Sequence, residues 1–222
     1  MNFSKEWEQR YKENTHLSIW PWSDLVSYVM RYSRPHNNSF RVLELGCGAG
    51  ANIPFFMSLG VEYYAIEGSE TIVTNLKQRF PLLEDKLVIG DFTLDIPFEE
   101  NFDLIVDRSS LTCNSTDAIK QCLDVVHQKL KNGGKYIGID WFSTQHYEYK
   151  NGKSCEDVFT RTGYSEGLLE GVGRVHYSDK AHLLDLFRNF TVIILEHKIV
   201  KCEIPSQDVT RANWNFVMQK NQ

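Results

Sequence analysis

Apolar positions along the chain fall into two rhythms. Residues 40–45, F-R-V-L-E-L, form a short run that stops at Gly46. After a glycine-rich turn, Ile53, Phe55, Phe56 and Leu59 suit a helix that tolerates Pro54 in its first turn. Residues 61–66 are again strand-like. Ser69 then stands as a cap before Ile72, Val73, Leu76 and Phe80, spaced by three and four, and Pro81 stops that helix. Residues 87–90 and 102–107 are further short apolar runs. Ile119, Cys122, Leu123, Val126 and Leu130 mark one helix face, which Asn132-Gly133-Gly134 is expected to end. Residues 135–140 form a fifth strand-like run.

Short strands alternating with helices predict βαβ units and a parallel sheet. Their nearly continuous apolar character fits strands covered by helices on both faces. The rhythm then changes. Residues 143–175 carry glycine, aromatic and charged residues without clear periodicity. A helix capped by Ser178 follows, with Leu183, Leu186 and Phe187 on one face. Residues 191–199 form a long strand. In 212–219, Ala212, Trp214, Phe216 and Met218 alternate with Asn213, Asn215, Val217 and Gln219. No helix fits between these two strands, so they pair as an antiparallel hairpin at one sheet edge. Residues 1–39, with Trp7, Tyr11, Trp20 and Trp22, read as a helical arm packed on the domain.

Composition narrows the function. The 222 residues are 42% hydrophobic and 24% charged, which argues against disorder. A net charge of −5 speaks against a globally basic nucleic-acid binder. No apolar run approaches the ~20 residues that span a bilayer. The first residues lack the apolar stretch of a signal peptide. The five cysteines are scattered, never C-x-x-C, and read as reduced thiols. These features predict a cytoplasmic protein with no membrane and no nucleic-acid partner. No histidine pair has metal-ligand spacing, so no metal is expected.

The chemistry should lie at the carboxyl ends of the strands, where open α/β sheets bind ligands. Those ends carry Glu44-Leu45-Gly46-Cys47-Gly48-Ala49-Gly50, then Glu67-Gly68-Ser69, then Gly90-Asp91-Phe92, then Asp107-Arg108-Ser109. Glu67 lies 21 residues after Gly46, placed to accept from ribose hydroxyls. Asp91 could accept from an exocyclic amine and Phe92 could pack on a ring. Gly46-x-Gly48-x-x-Ala51 also fits a dinucleotide fingerprint. An NAD(P)-dependent oxidoreductase would leave Glu44, Gly50 and Asp91 unexplained. Cys47 reads better as a small packing residue than as a nucleophile.

With an acid two residues before the first of three alternating glycines, the chain resembles the class I S-adenosylmethionine (SAM)-dependent methyltransferases. The resemblance covers residues 40–142 by motif and the final helix and two strands by architecture. It implies a Rossmann-like α/β fold: a doubly wound, seven-stranded, mostly parallel sheet whose last strand is antiparallel. It implies SAM as cofactor and S-adenosylhomocysteine (SAH) as product. Trp22, Glu44, Gly46, Cys47, Gly48, Glu67, Gly68, Asp91, Phe92 and Asp107 are then the cofactor-binding candidates. Gly46 and Gly48 would face the methionine part, Glu67 the ribose, Asp91 the adenine amine, and Asp107 or its backbone the methionine end. The expected organisation is one domain over 1–222: an arm or lid at 1–39, a SAM-binding core at 40–142, a substrate region at 143–175, and a closing helix and hairpin at 176–222. The expected reaction is methyl transfer to an oxygen or nitrogen of a small-molecule acceptor. Asp107, His146 and His176 are the candidates for a base. A non-catalytic SAM-binding regulator remains the alternative, as do protein acceptors. Segments 1–39 and 143–175 are expected to close over the cofactor, with Trp22 or Tyr11 touching it.

Overall fold

Two helices precede the first strand in the computed structural model, which describes residues 5–13, 15 and 17–221. The extreme start of the chain and His16 lie outside the described residues. In chain order the elements are α1 (Lys5–Lys12), α2 (Ser23–Tyr32), β1 (Arg41–Leu45), α3 (Ile53–Ser58), β2 (Glu62–Glu67), α4 (Glu70–Arg79) and β3 (Leu87–Ile89). Then come β4 (Phe102–Arg108), α5 (Thr116–Lys129), β5 (Leu130–Phe142), β6 (Lys153–Ser154), β7 (Thr160–Thr162), β8 (Val175–His176), α6 (Lys180–Leu186), β9 (Phe190–Lys201) and β10 (Thr210–Lys220).

The main sheet has seven strands in the order β3-β2-β1-β4-β5-β10-β9. The first five are parallel. β10 runs antiparallel between β5 and β9, so the predicted hairpin forms and β9 takes the edge. The order reverses at β1, and register brings Leu45 level with Ile66 and Asp107. The carboxyl ends of β1, β2 and β4 therefore share one rim, at the switch point where such sheets bind ligands.

Period-two alternation sorts the strand side chains onto two faces. Leu43, Leu45 and Ile105 pack with α5 and α6 through Ile119, Leu123, Leu183 and Phe187. Val42, Leu104, Val106, Ile137 and Ile139 pack with α2, α3 and α4 through Leu25, Val29, Phe56 and Leu76. Burying both faces supplies the main driving force, at ~25 cal/mol per Å² of apolar surface.

Three local expectations need correction. Helix α5 ends at Lys129, not at Asn132-Gly133-Gly134, because Leu130 is already extended and pairs with Phe102. The glycines instead serve a bulge, in which 130–135 of β5 face only 102–104 of β4. The cap of α6 is Asp179, whose carboxylate accepts from His182 N–H at 2.8 Å, one residue beyond Ser178. Residues 143–175 are not an irregular loop. With the next few residues they build a three-stranded antiparallel sheet, β6-β7-β8. A small core of Tyr164, Leu169, Val172, Val175 and Tyr177 supports it.

Gly138 of β5 lies directly opposite Phe216 of β10, and a Cβ there would overlap the Phe216 ring. Gly138→Ala is expected to cost ~1–3 kcal/mol by overpacking. Urea unfolding should show a lower midpoint at unchanged slope.

Candidate active site

A cavity of about 1210 Å³ opens at the strand carboxyl ends. Gly46 and Gly48 form its β1 wall with φ of +66° and +51°. Glycine alone fits at Gly46, since a Cβ would also overlap the Ser110 side chain. Gly48 N–H donates to Glu67 Oε2 at 2.8 Å, and Ser69 N–H donates to Glu67 Oε1 at 3.0 Å. Glu67 thus ties the loop after β1 to the loop after β2. Gly68 N–H also acts on this carboxylate, which keeps part of its acceptor capacity for a ligand. Burial raises the Glu67 carboxyl, against the pull of these backbone donors.

Glu44 also lines the cavity and is buried. Tyr63 O–H donates to its Oε2 at 2.6 Å and Asn52 Nδ2 to its Oε1 at 2.8 Å. Asn52 Oδ1 in turn accepts from Trp22 N–H at 3.2 Å, which seats Trp22 at the cavity mouth. The Arg108 guanidinium stacks on the Trp22 ring at 3.6 Å. Asp91, Phe92, Gly68 and Cys47 all reach the wall. Asp91 Oδ1 accepts from Thr93 N–H at 3.0 Å, which shapes the turn after β3. Burial pushes the Cys47 thiol well up, in keeping with a small packing group.

The three base candidates part company. Asp107 is fully buried behind the wall and does not line the cavity. Its oxygens accept from Ser110 N–H at 2.8 Å, Leu111 N–H at 3.0 Å, the Ser110 hydroxyl and the Trp141 indole N–H. It organises the turn after β4 and does not present an acceptor to a ligand. His176 is also off the wall, buried with its Nε2 at 3.1 Å from His182 Nε2. Desolvation, with the neighbouring His182, lowers it to about 3. Both expectations are corrected by placement. His146 does line the cavity, lowered by burial to about 4. Its Nδ1 accepts from Glu148 N–H at 3.3 Å, so the neutral ring carries its proton on Nε2 and offers a donor.

Residues missed by motif reading come from the end of β5 and from the hairpin: Asp140, Lys198, Arg211 and Asn213. Ser109 and Asp140 both adopt φ of +58°, uncommon for residues other than glycine. Asp140 Oδ2 binds Arg108 at 3.0 Å. The one sequence signal was the alternation of Arg211 and Asn213 opposite core-facing Ala212 and Trp214.

The arm and the small sheet meet over this rim. Glu8 of α1 accepts from the Ser69 and Thr71 hydroxyls at the start of α4. Trp7 packs on the small-sheet core, and Arg10 donates to Glu170 O. Trp7 and Tyr11 line the cavity, Tyr11 beside Gly48.

A switch-point rim with an acid-first glycine loop and an antiparallel strand inserted next to the edge defines a SAM-dependent methyltransferase fold. Residues 42–134 match the family profile described as a methyltransferase domain. The chain as a whole shares its fold with SAM-dependent methyltransferases, some of them solved with bound SAH. No curated protein sequence matches it. Among solved structures it is similar to a SAM-dependent methyltransferase from Methanosarcina mazei, at 14% identity and TM-score 0.69, covering 91% of this chain and 99% of that one. It is also similar to a Clostridium acetobutylicum SAM-dependent methyltransferase, at 13% identity and TM-score 0.64, covering 97% and 96%. A third is the Burkholderia thailandensis 1,6-didemethyltoxoflavin-N1-methyltransferase with bound SAH, at 17% identity and TM-score 0.63, covering 90% and 78%. At these identities the likeness is one of fold. The residues present fit the cofactor: a glycine cradle that a Cβ would fill, buried Glu67 on the wall, and ample volume. Among the described residues no helix is long and apolar enough to cross a membrane.

Burial pushes the Glu44 carboxyl from its ordinary 4.5 up to about 7. The folded protein then holds this proton where the unfolded chain has lost it, between those two values. Stability contributed by this group falls as pH rises through that window and levels off above it. Glu44→Gln should therefore gain stability relative to wild type from pH 4.5 to pH 7.5, by on the order of 1–3 kcal/mol. Urea titrations at both pH values provide the check. A constant difference would place the Glu44 pKa near its ordinary value.

Proposed function

We propose that the protein transfers the SAM methyl group to an oxygen or nitrogen of a small-molecule acceptor. The supporting observation is one continuous cavity from Glu67 and Asp91 through to Asp140, Phe142 and His146. Its volume exceeds the ~300–1,000 Å³ of a single-ligand pocket, leaving room for an acceptor beside the cofactor.

In this reading Glu67 accepts from the ribose hydroxyls, Asp91 from the adenine amine, and Phe92 packs on the purine. Gly46, Cys47, Gly48 and Gly68 let the backbone approach, and Glu44 sits nearest the positive end of the ligand. Trp22 and Tyr11 close the mouth. When bound, SAM supplies a methyl group on a positively charged sulfur that departs as a neutral thioether. The chain need not activate the carbon further. Its task is to hold the acceptor in line and keep water out, and orientation alone can supply up to ~7–11 kcal/mol. Asp140, and not Asp107, is the carboxylate able to receive a hydrogen bond from the acceptor.

Thermal melts test the cofactor reading, because a ligand that binds only the native state raises the midpoint. SAH should raise it and NADH should not. Stabilisation by NADH alone would overturn the reading.

Calorimetric titration tests the residue roles. Glu67→Ala should weaken SAH ~10- to 100-fold, the loss of a charged acceptor. Asp107→Asn, behind the wall, should lower the melting temperature while the folded protein keeps its SAH affinity.

A further inference from the structure

The cavity wall carries both acids and cations. Glu44, Glu67 and Asp91 line it at the ends of β1 and β2 and after β3, and Glu6 of α1 lies against Gly173. Lys198 and Arg211 come from the hairpin, Arg174 stands before β8, and Arg108 ends β4 against Trp22, with Asp140 beside Arg108 and Lys198. Of the four cations, Arg108 pairs with Asp140, Arg174 with Glu156, and Lys198 with Asp24. Among the described residues, Arg211 has no carboxylate at ion-pair distance and is exposed. Of these four cations it is the one whose charge is uncompensated.

The hairpin explains its position. β10 pairs with β5 only as far as Asn213 opposite Phe142. Its first residues, with the last of β9, overhang the rim. Register sets Lys198 opposite Asn213 and Val200 opposite Arg211. All four residues line the cavity. Arg211 also lies close enough to His146 and Tyr147 to act on their charges. Phe142, Leu168 and Val172 give the same wall an apolar surface.

We propose that the methyl acceptor is an amphiphilic anion, whose carboxylate or phosphate is held by Arg211 with Lys198 across the hairpin and whose apolar body lies on Phe142, Leu168 and Val172. The proposal rests on the reading that the acceptor occupies the same cavity as SAM. Arginine suits the task because its planar fork matches both oxyanions in bidentate fashion.

The test uses the full chain saturated with SAH and four probes matched in shape: 3-phenylpropionate, 3-phenylpropionamide, phenyl phosphate and phenethylamine. Ligand-observed NMR titration reads their affinities in wild type and in Arg211→Met. At least one anionic probe should bind ~10-fold or more tightly than the neutral amide, as expected for a charge-assisted pair. The amine should bind weakest. Arg211→Met should abolish the preference while leaving the melting temperature and SAH affinity unchanged, and Arg211→Lys should restore it in part. The stronger of the two anions identifies the headgroup. Equal binding of anion and amide, no binding of either anion, or a preference that survives Arg211→Met would overturn the proposal. If SAH itself fails to bind, the cofactor reading falls. The anion preference is then still read on the protein alone.

Discussion

Three carboxylates end three adjacent strands, and all three are buried: Glu44 on β1, Glu67 on β2 and Asp107 on β4. Burial raises each of them, and Glu67 and Asp107 raise Glu44 further by like charge. A carboxylate out of water costs several kcal/mol unless donors replace the lost hydration. The donors here are the loops themselves. Gly48 and Ser69 N–H groups serve Glu67, Asn52 and Tyr63 serve Glu44, and Ser110, Leu111 and Trp141 serve Asp107. The loops after β1, β2 and β4 take their shapes from satisfying these acids. The same constraint dictates glycine at Gly46, whose backbone closes on the Ser110 that Asp107 holds.

A second constraint sets the cavity wall at the end of β5. Tyr136 and Trp141 share one core although their positions differ in parity, and the left-handed turn at Asp140 falls between them. Such a conformation costs ~1–3 kcal/mol at a non-glycine residue and persists only where the surroundings over-determine it. Asn215 Oδ1 accepts from Asp140 N–H at 2.8 Å, and Asn213 Nδ2 donates to Asp140 O at 3.0 Å. The strain does two jobs. Trp141 turns inward to reach Asp107, and the Asp140 carboxylate turns toward Arg108 and the cavity.

The parallel core was legible because strands buried on both faces read as apolar runs bounded by glycine and capped helices. The hairpin was legible because no helix could fit between its strands. What resisted reading was long-range. Asp107 ends a strand in the same way as Glu67, and only the fold shows that Trp141, 34 residues on, consumes it. The Asn132-Gly133-Gly134 bulge imitates a helix stop because both uses need the left-handed φ that Gly133 adopts. His146 and His176 looked equivalent as isolated histidines; a difference of wall against interior separates them. Lys198 and Arg211 carry no motif at all, since their meaning arises from the register of β9 on β10 beyond the end of β5.

The acids and cations of the wall bear on where the rate can come from. In the proposed reaction, ionised Glu44 and Glu67 would favour a cationic ligand, but methyl transfer removes that charge as the bond to sulfur breaks. Attraction that is strongest before the reaction lowers the ground state more than the transition state and gives no acceleration. Keeping Glu44 near its titration point and Glu67 occupied by Gly48 and Ser69 limits that penalty. In the same proposed reaction, Arg108 and Lys198 would favour the deprotonated form of a hydroxyl or ammonium near Asp140, which is the nucleophilic form. In the proposed reaction the acids therefore serve capture, the cations prepare and orient the acceptor, and the rate depends on how rigidly Asp140 and the hairpin hold the two reactants in line.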